Sequence, residues 1–308
     1  MAKCVVTGGA GFIGSHLVDE LLARDNEVII IDNFSTGTKD NIKHIFDKIE
    51  LIEGNILDID LLQATLKGVD FVFHLAALPS VQRSVENPLE SLNNNIVGTH
   101  NLLIAARDNK VKKVIYSASS SAYGDSEKMP KEESMVTNPL SPYAITKLVG
   151  EYYCKVFSDV YGLDTVSLRY FNVFGPRQNP DSQYSAVIPK FIKLMNQGKR
   201  PIIFGDGLQS RDFTFVKNVV NANILAMQSG QLNGQVLNIA CNKRIDLNSL
   251  VNMLNSILGT KLEPEYLGER IGDVKHSLAD ISKAKELIGY EPHVDFNSGL
   301  SVTVDWYG

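Results

Sequence analysis

The sequence predicts an α/β protein: a Rossmann-type, doubly wound parallel sheet with a smaller α/β substrate-binding lobe. Three observations predict it. Short, nearly continuous apolar runs alternate with amphipathic segments through the first half; strands of that kind are covered by helices on both faces. A glycine-rich turn joins the first apolar run to the first amphipathic segment. The chain has 308 residues, enough for one large domain or a domain plus a lobe.

The elements follow in order. Cys4-Val5-Val6, Val28–Ile31, Leu51-Ile52, Phe71-Val72-Phe73 and Val114-Ile115-Tyr116 read as strands. Phe12–Arg24, Leu61–Leu66 and Leu89–Asp108 read as the helices between them. Pro88 favours a helix start there, because proline fits the first helical position. A long helix follows Ser141-Pro142, over Tyr143–Tyr161, and a strand follows over Thr165–Arg169. Repeated strand–helix order implies right-handed crossovers. Beyond Gly175-Pro176, Pro180, Pro189, Pro201, Gly205 and Gly207 break the pattern. The expected division is a nucleotide-binding domain over 1–170, with about 212–241 returning to it as the helix Val216–Gln228 and the strand Val236–Ile239. The smaller lobe is expected over 171–211 and 242–308.

Composition excludes several function classes. Net charge is −5 and 21% of residues are charged, with Lys and Arg dispersed. No basic stripe suits nucleic acid or an anionic membrane surface. An anionic substrate would have to be held by a few placed cations. Three scattered cysteines suit a reducing cytoplasm and argue against a disulfide framework. The six histidines show no metal-ligand spacing, so no metal is expected. No apolar stretch reaches the roughly 20 residues of a membrane helix. Gly8-Gly9-Ala10-Gly11 interrupts the first apolar run, which argues against a signal peptide. The expected location is cytoplasmic.

Gly8, Gly11 and Gly14 form G-x-x-G-x-x-G between strand and helix. Gly8 permits the turn, Gly11 lets the backbone approach a pyrophosphate, and Gly14 lets helix and strand pack closely. The helix then offers free N–H groups and a positive dipole end to phosphates. Asp32 ends the second strand, where a carboxylate accepts hydrogen bonds from a ribose diol and repels a 2′-phosphate. NAD is therefore favoured over NADP.

Tyr143-Ala144-Ile145-Thr146-Lys147 carries Tyr-x-x-x-Lys. On a helix the pair lies on one face, one turn apart. A phenol titrates near ~10. To act as a base near neutrality it needs about 3 units of lowering. A lysine ammonium and a nicotinamide cation are suitable sources. Ser119, just beyond the fifth strand, lies at the carboxyl edge where open parallel sheets bind ligands.

With these motifs the chain resembles the extended short-chain dehydrogenase/reductase superfamily, and most of all its UDP-galactose and UDP-N-acetylglucosamine/galactosamine 4-epimerases. The resemblance rests on the Gly8–Gly14 loop, His74-Leu75-Ala76-Ala77, Asn95, Ser119, Tyr143 with Lys147, the run Arg169 to Pro176, Gly205-Asp206-Gly207 with Arg211-Asp212-Phe213, and Arg270-Ile271-Gly272-Asp273. It implies C4 epimerisation through a transient 4-keto sugar on a tightly bound, regenerated NAD. Tyr143 as phenolate would take the 4-OH proton while C4 passes hydride to NAD. Ser119 would hydrogen-bond the same oxygen. Lys147 would hold the nicotinamide ribose and keep Tyr143 acidic.

The resemblance also implies cofactor contacts from Phe12, Ile13, Asn33, Ser35, Thr36, Gly37, Asn55, Ile56, Leu75, Ala76, Ala77, Asn95, Ser117, Tyr170 and Val173. It implies substrate contacts from Ser80, Ser120 and Gln209. Asn172 matches a diphosphate contact, Arg211 and Arg270 match phosphate-binding arginines, and Asp273 matches a uridine-ribose contact. Val187 and Ile203 match the uracil pocket. Two departures stand out. Asn55 replaces an Asp that faces the adenine amino group, and Pro79 replaces a Lys near the cofactor phosphates. Ser277 matches the position that gates C2 substituents. A Tyr there narrows the pocket, whereas Ser leaves room for an acetamido group. UDP-GlcNAc/UDP-GalNAc are thus the expected pair, possible alongside UDP-Glc/UDP-Gal.

Two other readings compete. A nucleotide-sugar 4,6-dehydratase or decarboxylase needs carboxyl side chains where this chain has Ser120 and Ser121. A non-catalytic NAD-binding regulator would usually lose Tyr143 or Lys147. Relatives commonly form homodimers through a four-helix bundle. Leu102, Leu103, Ala106, Leu148, Tyr152 and Val156 are the expected face.

Overall fold

The structure is a computed structural model that describes residues 1–180, 186–268 and 275–308. Its strands are β1 Lys3–Thr7, β2 Glu27–Asp32, β3 Glu50–Glu53, β4 Phe71–His74, β5 Lys113–Ser119, β6 Thr165–Tyr170, β7 Val173–Phe174, β8 Ile202–Phe204, β9 Ser210–Arg211, β10 Thr214–Phe215, β11 Gln235–Ile239, β12 Ile245–Asp246 and β13 Glu265–Leu267. Its α-helices are α1 Phe12–Ala23, α2 Ile59–Thr65, α3 Val81–Glu86, α4 Pro88–Leu92, α5 Gly98–Asp108, α6 Pro142–Tyr161, α7 Val187–Asn196, α8 Val216–Gln228, α9 Leu247–Leu258, α10 Ser282–Ile288 and α11 Phe296–Tyr307.

Seven strands form one parallel sheet in the order β3-β2-β1-β4-β5-β6-β11. The order reverses between β1 and β4, and ligands of such sheets bind at that switch point, beyond the strands' carboxyl ends. The apolar runs are continuous because both faces are buried. Cys4, Val6, Val28, Ile30, Phe73 and Ile115 enter the core under α1 and α8. The alternating residues Val5, Ile29, Ile31, Val72, Val114 and Tyr116 enter the core under α2, α5 and α6. Burying one such aliphatic side chain contributes roughly 1.5–3 kcal/mol, so the pattern fixes the register of every strand.

A third core joins Phe174, Ile188, Phe191, Ile203, Phe213, Phe215, Leu250, Leu254 and Leu300 from α7, α9, α11 and the short strands. Strand β11 pairs with β6 in the main sheet, and α8 packs into the first core. Ala284, Ile288 and Tyr290, near α10, also pack into that first core.

Helix α6 shows how local sequence sets an element. Ser141 caps it by accepting from the Ala144 N–H, Pro142 occupies the first turn, and Gly162 ends it in the left-handed conformation. The expected helix over Leu89–Asp108 is less regular. It begins at Pro88, passes through a π-helical turn at Asn93–Val97 and resumes as α5, and α3 precedes it. Among the described residues, no helix is long and apolar enough to cross a membrane.

Candidate active site

A cleft of about 670 Å³ opens at the carboxyl edge of the sheet. Gly8, Gly11, Phe12, Ile13, Gly14, Asp32, Asn33, Ser35, Thr36, Ile56, Leu75, Ala76 and Ala77 line one part of it. Ser117, Ser119, Ser120, Tyr143, Lys147, Tyr170, Asn172, Val173, Arg211 and Ser277 line the rest. The structure thus brings most of the expected residues together.

At one end the glycines make a cradle. Gly8 has φ +72°, and a Cβ there would lie 2.8 Å from the Ala76 nitrogen. A Cβ on Gly14 would lie 2.2 Å from the Gly8 carbonyl oxygen. Helix α1 starts at Gly11 without a side-chain cap, so its first N–H groups face the cleft unspent. Asp32 lies beside them, its two carboxylate oxygens accepting from the Ala10 and Phe34 N–H groups at 2.9 and 2.8 Å. Burial raises its pKa against these bonds. Each oxygen keeps a lone pair for a ribose hydroxyl. The donor set fits the pyrophosphate and ribose of a dinucleotide.

At the other end Ser119, the last residue of β5, meets Tyr143 at the start of α6. Ser119 Oγ accepts from the Ser121 N–H at 3.2 Å and the Ser121 hydroxyl at 2.9 Å. The Ser119 side chain lowers the Tyr143 pKa. Burial outweighs it, and the phenol stands above its ordinary value. Among the protein's own groups, burial thus sets the direction for Tyr143. Lys147 is itself pushed down to about 8 by burial, with Cys154 and Glu151 pulling it back up. Its ammonium donates to the Ser117 carbonyl at 2.8 Å and lies 5.0 Å from the Tyr116 ring centre. One turn further along α6, Glu151 forms a buried two-point ion pair with Arg169, at 2.9 and 2.6 Å.

A chain of buried polar groups ties the two ends together. The Ala76 N–H donates to Thr7 Oγ1, which contacts His74 Nδ1 at 2.7 Å. His74 Nε2 contacts Thr99 Oγ1 at 2.9 Å, and that hydroxyl donates to the Asn95 carbonyl. Thr99 has one hydrogen, so His74 must donate from Nε2 and accept at Nδ1. Burial lowers the His74 pKa to about 3, which keeps the ring neutral. Asn95 Nδ2 then donates to Thr146 Oγ1, which donates to the Tyr143 carbonyl. Asn95 Oδ1 holds the Leu78 N–H at 2.8 Å.

Several expected contacts do not line the cleft. Asn95 is buried inside this chain and acts by holding other groups. Ile203 is fully buried in the third core and offers no surface to a ligand. Ser80 caps α3, the Asn55 side chain accepts from the Leu57 N–H, and Gln209 donates to the Phe204 carbonyl. Gly37 backs the cradle, where a Cβ would meet Ala10 and Asp32. Val187 packs on the third core. Arg270 and Asp273 lie outside the described residues. Sequence reasoning missed Ser84, whose hydroxyl accepts from the Tyr143 N–H at 3.0 Å. It also missed Lys131, Gly124 and His276 in the lining. The Ser84 contact joins residues far apart in sequence and leaves no local signal.

The comparisons with known proteins agree with this geometry. The model of the NAD dependent epimerase/dehydratase family matches residues 4–240. The chain belongs to this family. A putative UDP-glucose 4-epimerase of Methanocaldococcus jannaschii is 40% identical, over 98% of this chain and 97% of that one. A UDP-N-acetylglucosamine 4-epimerase of Methanobrevibacter ruminantium, solved with UDP-N-acetylmuramic acid, is 47% identical, with TM-score 0.95 and coverage of 99% of this chain and 98% of that one. A UDP-glucuronic acid 4-epimerase of Bacillus cereus, solved with UDP-glucuronic acid and NAD, is 36% identical, with TM-score 0.92 and the same two coverages. This member of the epimerase family is thus an NAD-dependent enzyme of the UDP-sugar 4-epimerase group. Among the described residues no cluster could hold a metal ion.

Proposed function

We propose that this enzyme inverts C4 of UDP-GlcNAc and UDP-GalNAc, and of UDP-Glc and UDP-Gal as a second pair. One observation carries the reading: Ser119 and Tyr143 line one cleft together with the small residue Ser277. Bound NAD supplies a hydride acceptor and donor and a cationic ring. Asp32 and the Gly8–Gly14 cradle hold its adenosine half, and Lys147 holds the nicotinamide ribose. Tyr143 takes the 4-OH proton and returns it to O4 once the 4-keto sugar has turned its opposite face to the nicotinamide. Ser119 orients the same oxygen. Asn172, Arg211, Arg270 and Asp273 hold the UDP, in a lobe built from 171–211 and 242–308. In the cleft Arg211 already donates to the Ser210 and Lys275 carbonyls at 3.1 Å, which fixes its guanidinium for phosphate oxygens.

Ser277 Oγ accepts from Asn172 at 3.0 Å and from the Asp212 N–H at 3.3 Å. A Tyr in its place would add a ring to the cleft. The wild type, incubated with UDP-GlcNAc and no added cofactor, should yield UDP-GalNAc by NMR. Ser277→Tyr should lose at least about 10-fold in kcat/KM on the acetylated pair relative to the plain pair, from lost packing and steric exclusion. Full activity of the variant on acetylated substrates contradicts the gate. A dehydratase or decarboxylase would instead yield a 4-keto-6-deoxy sugar or CO₂. Ser120 and Ser121, both in the lining, have no carboxyl group for either reaction.

We also propose a homodimer. Leu102, Leu103 and Ala106 are buried in the protein's own core, which removes them from the expected face. Leu89, Leu92, Val97, Ile145, Tyr152, Val156 and Val160 stay exposed on α4, the π-turn and α6. An apolar surface of this extent marks an interface. Light scattering should give twice the 34.0 kDa chain mass, and Tyr152→Glu should give a monomer. A monomeric wild type contradicts the dimer.

A further inference from the structure

Three cations among the described residues line the cleft: Lys147, Arg211 and Lys131. The first two have roles in the reaction described above. Lys131 has none, and its setting is unusual for a lysine. The residue is 2% exposed, although lysine is among the side chains least often buried.

Its backbone is pinned on two sides. Its N–H donates to the Leu278 carbonyl at 2.7 Å, and its own carbonyl accepts from Asp280 N–H at 2.9 Å and from Asn238 Nδ2 at 2.9 Å. Leu278 follows Ser277, so Lys131 lies beside the residue that gates the C2 side of the sugar, away from the Asp32 end. The ammonium donates to the Ser126 carbonyl; burial lowers its pKa, against the smaller opposing effect of the Asp125 carboxylate. An ammonium carries three N–H donors, and only this one bond is made among the described contacts. A buried cation with donors to spare is costly unless an anion meets it.

We propose that Lys131 selects UDP-hexoses that carry a carboxylate on the sugar. This deepens the epimerase reading of the same cleft and rests on it. The shared chemistry is a hexose-borne carboxylate; its source is either C5 of a hexuronate or an ether side arm at C3. A charge-assisted bond of the ammonium to that carboxylate, in a site largely removed from water, supplies the selection.

The test compares UDP-GlcNAc, UDP-glucuronate and UDP-N-acetylmuramate as substrates for wild type and Lys131→Met. The wild type should prefer one carboxylated nucleotide over UDP-GlcNAc in kcat/KM, and which one identifies the source. Lys131→Met should lose about 10- to 100-fold on that substrate, the size expected for a hydrogen bond to a charged group. Its activity on UDP-GlcNAc should stay within about 3-fold, which also reports an intact fold. A wild type without preference, or equal losses on all three substrates, overturns the proposal. Calorimetric binding of the same nucleotides separates the two readings. If no nucleotide is epimerised, the epimerase reading fails, while tighter binding of a carboxylated one by wild type than by Lys131→Met still upholds the selection.

Discussion

Tyr143→Phe should lower kcat by about 10²- to 10⁴-fold, the range for removing a positioned proton-transfer group. The hydroxyl is lost while the ring and its packing stay. The Tyr143 N–H keeps its bond to Ser84, and its carbonyl keeps its bond from Thr146, so α6 should start where it does now. NAD should co-purify as before, and KM should change little, because the lost interaction acts in the transition state. A variant that turns over UDP-sugars at the wild-type rate would show that another group moves the proton. The alkaline limb carries more information. The Lys147 pKa stands near 8 because burial disfavours its charge. A lowered lysine pKa means that the cation is present below that value and lost above it. Wild-type kcat/KM should therefore fall as pH rises through about 8.

Gly14→Ala should abolish cofactor retention and lower activity at least about 100-fold. The new methyl would lie 2.2 Å from the Gly8 carbonyl oxygen, 2.9 Å from the Gly8 carbonyl carbon and 2.9 Å from Gly9 Cα. All three are backbone atoms, so no side chain can rotate away. Either α1 moves off β1 or the turn opens, and both displace the free N–H groups that face the pyrophosphate. The absorbance ratio of the purified protein at 260 and 280 nm checks this, since bound NAD adds absorbance at 260 nm. Thermal unfolding should show a folded protein of reduced stability, because overpacking of this kind typically costs about 1–3 kcal/mol. NAD retained at the wild-type level would contradict the assignment of the cradle.

The main sheet was legible because its strands are buried on both faces. Val28–Ile31 lies inside β2, and its neighbours alternate between two cores, so each run is apolar throughout. The glycines were legible because each answers a backbone constraint that leaves a mark in the sequence. Long-range polar contacts were not. The chain from Thr7 through His74, Thr99 and Asn95 to Thr146 is spread over two strands and three helical segments, and none of its members carries a local signal for the others.

Periodicity also misled at Leu102, Leu103 and Ala106. An apolar helical stripe looks the same whether it meets the protein's own sheet or a second chain, and here it meets the sheet. Lys131 escaped notice because a charged residue in a proline-containing loop reads as solvated.

The most direct measurement follows deuterium placed at C4 of UDP-GlcNAc through turnover in ordinary water. If oxidation and reduction occur at C4, with Tyr143 moving only the hydroxyl proton, the label should be found at C4 of both epimers with none lost to solvent. Loss of the label to water, or inversion at another carbon, would contradict the account.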